Sequence, residues 1–232
     1  MRVNTADGPG TGLKGGPLQR IVNVSRAALA ALCLLLGQAL AGSEARAAPA
    51  RVLMLGDSLT AGFGLPVTES LPSQLEAVLK GQGLDVVILN GGVSGDTTAG
   101  GLSRVDWALA DNPGYALVAL GANDALRGLD TEKAFQNLDA IVGKLRTKGI
   151  KVMILGMLAP PNLGRDYGER FAAIFPKLAE KYGVPLYPFL LDGVAADPKL
   201  NQRDGIHPNA EGVRIIVGRL APLVRQLLET PG

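Results

Sequence analysis

One cysteine, one histidine and one tryptophan occur among the 232 residues. The lone cysteine, Cys33, excludes an internal disulfide framework. The lone histidine, His207, excludes a histidine-rich metal site and obliges any imidazole chemistry to use that residue. A metal centre built from Asp57, Asp204 and His207 would have one nitrogen ligand and no ligand motif, so no metal is expected. Aromatic residues make up only 4% of the chain, which leaves few platforms for stacking a sugar ring. An excess of one charge is also missing. Residues 1–47 hold five of the 23 basic and two of the 21 acidic residues, so 18 basic face 19 acidic residues in the remainder. That balance offers no electrostatic case for nucleic acid as a partner.

An apolar content of 47% and a charged content of 19% describe a globular chain long enough for one sizeable core. Its amino-terminal part reads differently from the rest. Gly10, Gly12 and Gly15 match G-x-G-x-x-G, but neither a strand before nor a helix directly after supports nucleotide binding. Arg20 and Arg26 precede an almost wholly apolar run over residues 27–41, followed by A-x-A sites at Ala39-Leu40-Ala41 and Ala45-Arg46-Ala47. This is the pattern of a secretory signal peptide. The run is shorter than the roughly 20 residues of a membrane-spanning helix, so no stable membrane span is expected after cleavage. Cys33 lies inside the apolar run and follows Leu32, which disfavours a lipidated cysteine. The expectation is a signal peptide and extension over residues 1–47, a single domain over residues 48–232, and a periplasmic or secreted location. Without Cys33 the remaining chain holds no cysteine, which suits an oxidising compartment.

From residue 50 onward, short apolar runs alternate with helical patterns. Strands are expected over residues 52–55, 86–89, 115–120, 152–155 and 184–187. Helices are expected through Leu71, Leu75, Val78 and Leu79; through Leu102, Val105, Trp107 and Leu109; through Phe135, Leu138, Val142 and Leu145; through Phe171, Ile174, Leu178 and Tyr182; and from Asn209 through Val213, Ile216, Leu220, Val224 and Leu227. Asp130 or Thr131, and Asn209, are candidate helix caps, and Trp107 is expected in the core. The alternation implies an α/β fold with a five-stranded parallel sheet covered by helices on both faces. Every strand-to-helix loop then falls on one edge, where open parallel sheets bind ligands.

That edge collects a set of chemical roles. Ser58 follows the first strand in Gly56-Asp57-Ser58-Leu59. A serine hydroxyl is a weak nucleophile until a base takes its proton. An imidazole ordinarily titrates near 6.5 and suits that task, and His207 is the candidate. Asp204, three residues earlier in Asp204-Gly205-Ile206-His207-Pro208, can orient the ring through a tight turn at Gly205. The backbone amides of Ser58 and Gly95 and the side-chain amide of Asn123 are candidate donors for an oxyanion. Each residue also has a plainer role open to it: a helix cap for Ser58, a turn former for Asn123, Asp204 or His207, a conformational need for Gly95. Asp96, Asp124 and Arg127 are expected to order these loops. Thr60 replaces the last glycine of a G-x-S-x-G elbow, which turns the pattern away from ordinary α/β-hydrolases.

Gly56-Asp57-Ser58-Leu59, Gly95, Gly121-Ala122-Asn123-Asp124 and Asp204-Gly205-Ile206-His207-Pro208 resemble, in order and spacing, the four sequence blocks of SGNH (GDSL) hydrolases. The likeness runs from about Arg51 to Leu228 and is greatest to the bacterial periplasmic arylesterase and multifunctional thioesterase/lysophospholipase branch. Ala122 stands where such relatives often have Gly. The resemblance implies a three-layer α/β/α flavodoxin-like fold and cofactor-free hydrolysis of acyl esters and thioesters, with a small-molecule or lipid acyl ester as the partner. It also implies Ser58 as nucleophile, Gly95 and Asn123 in the oxyanion hole, and an Asp204–His207 pair. A carbohydrate O-acetylesterase using the same residues, and a catalytically inactive binding protein on the same fold, are the alternatives. Residues 159–168 read as an active-site loop, and residues 159–168 and 190–202 are expected to shape the acyl pocket.

Overall fold

The first strand, β1 (Ala50–Gly56), is buried from Val52 to Gly56. A strand buried on both faces has no polar side to show, which is why its sequence is a continuous apolar run rather than an alternating one. In the computed structural model, residues 1–2 and 48–230 are described. The expected signal peptide, with Cys33 and the glycine pattern at 10–15, lies outside the described residues except at its first two positions.

Four further strands complete the sheet: β2 (Val86–Gly92), β3 (Tyr115–Ala119), β4 (Lys151–Leu155) and β5 (Leu186–Tyr187). All pairings are parallel and the order is β2-β1-β3-β4-β5. The register places Gly56 of β1 against Gly92 and Ala119, so three strand ends meet at the site. The last strand is shorter than the expected 184–187, because Pro185 has no N–H to give to a ladder and serves only as an acceptor for the Ile154 amide.

The helices are α1 (Ser58–Ala61), α2 (Leu71–Gly81), α3 (Thr98–Ala108), α4 (Ala122–Leu126), α5 (Thr131–Thr147), α6 (Arg165–Ala172), α7 (Ile174–Tyr182) and α8 (Ala210–Glu229). Helices α2 and α8 pack together on one side, and α3, α5 and α7 pack in a row on the other. Right-handed crossovers from a sheet of this order produce that division. Asp130 caps α5 through the Glu132 amide, and Asn209 caps α8 through the Glu211 and Gly212 amides. The core is formed by the inner faces of these helices against the sheet, with Leu75, Leu79, Val105, Leu138, Ile141, Phe171, Phe175, Leu220 and Val224 buried.

Three expectations fail for identifiable reasons. The helix expected from Phe171 to Tyr182 is two helices, broken at Ala173. Pro176 has no N–H to return to the Ala172 carbonyl, so the ladder cannot run through. Trp107 is 75% exposed rather than part of the core. It lies two residues from buried Val105, roughly 200° around the helix, on the face away from the sheet. Residues 159–168 are not all loop: Pro161–Leu163 forms a 3-10 turn and α6 already begins at Arg165. Among the described residues no helix is long and apolar enough to cross a membrane, and no group of three or more His, Cys, Asp or Glu side chains could hold a metal ion.

Candidate active site

The turn out of β1 is built around two constraints. A Cβ on Gly56 would lie 2.1 Å from Thr60 Oγ1 and 3.0 Å from the Ala119 carbonyl oxygen, so only glycine fits between the strands and the returning helix. Asp57 then caps α1, its Oδ1 accepting the Leu59 amide at 3.0 Å. Gly62, at φ +80°, ends the helix after one turn. Ser58 is thereby held at the start of a short helix, half-buried at the carboxyl edge of the sheet.

His207 approaches from the segment before α8. Its Nε2 lies 2.8 Å from Ser58 Oγ, and its Nδ1 lies 2.7 Å from Asp204 Oδ2. The other oxygen of Asp204 accepts the backbone amides of Ile206 and His207 at 3.0 and 3.1 Å, across a turn in which Gly205 has φ +75°. The hydrogen bond with His207, aided by these amides, lowers the Asp204 carboxyl from 3.8 to about 2. An ionised carboxylate only accepts. Nδ1 therefore carries the ring proton and donates it, and Nε2 is left to accept from the serine hydroxyl. The tautomer follows from the chemistry of its partner.

The imidazole is held on a further side. The Phe63 ring lies 4.6 Å from it, centroid to centroid, tilted by 35°. Gln202 ties the two segments together, because its Nε2 donates to the carbonyls of Phe63 (2.7 Å) and Pro208 (3.0 Å) and its amide donates to the His207 carbonyl (2.8 Å). Sequence patterns do not mark Gln202: its bond to Phe63 joins residues 139 positions apart.

The candidate oxyanion donors divide. Asn123, in the first turn of α4, lines the same cleft as Ser58 and His207, and its Nδ2 donates to Asp57 Oδ2 at 3.3 Å. Gly95 is exposed at φ +86° on the neighbouring loop and is not among the residues lining that cleft. Its carbonyl accepts from Arg127 at 2.9 Å. The Gly95 loop is nonetheless fastened to the serine turn. Arg104, on α3, donates to Asp96 at 2.5 Å and to the Gly56 carbonyl at 2.8 Å, and the Val93 amide also donates to Gly56. Buried Asp124 accepts both the amide and the hydroxyl of Thr98, at 2.8 and 2.6 Å, which fixes α4 against the start of α3. Asp96, Asp124 and Arg127 thus order loops, as expected; Arg104 carries no sequence signal of this duty.

The cleft holds about 320 Å³ and is mostly apolar, with Met157, Leu158, Pro160, Phe189 and Leu191 facing the polar trio of Ser58, Asn123 and His207. The segments at 159–168 and 190–202 both contribute to its wall. Asp57 lies beneath, fully buried, and burial pushes its carboxyl from 3.8 up to about 6 against the lowering effects of the Leu59 amide, Asn123 and His207.

The profile of the GDSL-like Lipase/Acylhydrolase family matches residues 54–215, a stretch that contains every residue of this site. The chain belongs to that family. This GDSL-like hydrolase is 41% identical over 170 residues to an arylesterase of Vibrio mimicus, covering 73% of this chain and 85% of the relative. It is 35% identical over 183 residues to the thioesterase 1/protease 1/lysophospholipase L1 of Escherichia coli K12, covering 78% and 86%. Among solved structures, the psychrotrophic esterase EstA of a Pseudoalteromonas species, inhibited by monoethylphosphonate, superposes with a TM-score of 0.74 at 31% identity, covering 78% of this chain and all of that one. The fold is accordingly the SGNH hydrolase fold, and the reaction class is carboxylic ester hydrolysis.

Proposed function

We propose that this GDSL-like hydrolase cleaves acyl esters through a covalent intermediate on Ser58. The observation that carries the reading is the unbroken chain Ser58 Oγ, His207 Nε2, His207 Nδ1, Asp204 Oδ2, with steps of 2.8 and 2.7 Å. His207 takes the serine proton as Oγ attacks the ester carbonyl. Asp204 holds the ring and stabilises the imidazolium that forms. The Asn123 side chain and the Ser58 and Gly95 amides are assigned to the oxyanion. His207 returns its proton to the leaving alcohol or thiol, the acyl-serine forms, and water activated by the same imidazole releases the acid. The roles need no group beyond these side chains and water.

An acyl chain fits the cleft better than a sugar does, since beyond Ser58, Asn123 and His207 its wall is mostly aliphatic and prolyl, with Phe189 as its one further aromatic and Asn201 as its one further polar side chain. The names of the Vibrio and Escherichia relatives support aryl esters, thioesters and lysophospholipids as the substrates to try. We further propose that residues 1–47 direct export and that the domain over residues 48–232 works in the periplasm or outside the cell. Ser58→Ala should abolish hydrolysis of p-nitrophenyl esters and labelling by a serine-directed phosphonate. Wild-type turnover in that variant would refute the nucleophile. Rates across oxygen esters, thioesters and lysophospholipids of rising chain length would then set the substrate class.

A further inference from the structure

Asp57 does not line the cleft, yet it is fully buried and bonded to two different parts of the site. One carboxylate oxygen accepts the Leu59 amide behind Ser58, and the other accepts Asn123 Nδ2. A carboxamide has a donor end and an acceptor end of nearly equal size. If Asn123 is to stabilise an oxyanion, its NH₂ must face the cleft, because a carbonyl oxygen there would repel the developing charge. Nothing intrinsic to asparagine selects one orientation. A neighbour that can only accept does select it: one N–H of the NH₂ is held by that neighbour and the second is left for the cleft.

We propose that Asp57 is a positioning residue that sets the orientation of the Asn123 carboxamide, keeping its NH₂ toward the cleft. The inference rests on Asn123 serving as an oxyanion donor, and it goes beyond that role in saying what makes Asn123 competent. It also accounts for an otherwise unfavourable choice, since an unpaired carboxylate in a buried position is costly and a neutral cap would serve α1 equally well. The charge at position 57 lets the second oxygen accept from Asn123 Nδ2.

Asp57→Asn is the deciding variant. Its Oδ1 can still accept the Leu59 amide, which leaves an NH₂ facing Asn123 Nδ2. Two donors cannot bond, so Asn123 turns over and its oxygen faces the cleft. The expected result is a fall in kcat of about 10- to 100-fold with KM within about 3-fold, comparable in kind to losing one oxyanion donor. Asn123→Ala should cost about 100- to 1,000-fold. Because Asp57 acts through Asn123, the double variant should lie within about 3-fold of Asn123→Ala alone. A merely structural role for Asp57 would make the two losses multiply, and that result, or an unchanged kcat in Asp57→Asn, overturns the proposal. An inert Asn123→Ala with an impaired Asp57→Asn would overturn it too, by removing Asn123 from the mechanism while leaving the Ser58 test unaffected.

Should Asp57→Asn fail to fold, the wild-type side chain can be observed directly. The Asn123 ¹⁵NH₂ signals, assigned by their loss in Asn123→Ala, should shift with a midpoint near the Asp57 value of about 6. They should also shift in His207→Gln, with the midpoint moved up because the imidazole that lowers the Asp57 carboxyl is gone. Signals that stay constant from about pH 4.5 to 8 in His207→Gln would overturn the proposal.

Discussion

Two aspartates flank the same serine, and their surroundings drive them in opposite directions. Asp57 belongs to the strand-end turn, is fully buried, and is pushed up to about 6 by loss of water. Asp204 belongs to the loop before α8, has a side chain 37% exposed, and is drawn down to about 2 chiefly by its hydrogen bond with His207. The serine side of the site is thus held by burial in a close-packed strand end, and the histidine side by hydrogen bonds on the surface. The difference teaches that one hydrogen-bonded chain of side chains can be assembled from a rigid half, where a glycine at 56 is sterically required, and a tethered half, held chiefly by hydrogen bonds with the Phe63 ring against the imidazole.

Variants on the two sides sharpen or break this contrast. The largest effect is expected where the halves meet. Ser58→Ala should lower kcat for a p-nitrophenyl ester by about 10⁴-fold or more, as measured by steady-state kinetics at neutral pH. On the tethered side, Asp204→Asn removes the charge that fixes the imidazole tautomer and should cost about 100- to 10,000-fold in kcat with a modest fall in melting temperature at neutral pH. A loss of folding instead of rate would show that the loop, contrary to its exposure, belongs to the rigid half.

Stability against pH separates the carboxylates by sign. Asp57 has a folded value above its unfolded one, so its protonated form is favoured in the native state. Stability falls as pH rises through the window from 3.8 to about 6, by about 3 kcal/mol at most. Asp204 has a folded value below its unfolded one. Its contribution is present above 3.8 and is lost as pH falls toward about 2. Urea titrations of Asp57→Asn should therefore show a gain over wild type at pH 8 that vanishes near pH 4, while Asp204→Asn should lose its deficit only at still lower pH. Equal slopes for both variants would remove the contrast. The smallest effect is expected at Gln202→Ala, where two side-chain hydrogen bonds to backbone carbonyls disappear. A loss of about 1–2 kcal/mol in stability and a several-fold fall in kcat, partly regained at lower temperature, would mark it as the tether of the His207 loop.

Much of the fold was legible because burial on both faces writes itself into sequence as apolar runs, and five such runs matched the five strands. Asn209 and Asp130 were legible as caps because capping is a local matter. Trp107 misled because its hydrophobicity spoke louder than its angle on α3. The helix break at Ala173 was present in the sequence as Pro176, three residues on, and was overridden by the apolar spacing of Phe171, Ile174 and Leu178.

The sequence by itself determined the candidate reacting groups: one histidine, a serine at a strand end, an aspartate three residues before the histidine, and blocks in the order of a hydrolase family. Only the tertiary structure decided how those groups are aimed. The Asp57–Asn123 bond spans 66 positions, the Arg104–Gly56 bond 48, and the Gln202–Phe63 bond 139. The physical reason is that a hydrogen bond depends on distance and direction in space. Those become defined only when a parallel sheet brings its loops to one edge, and no local pattern in the chain encodes them.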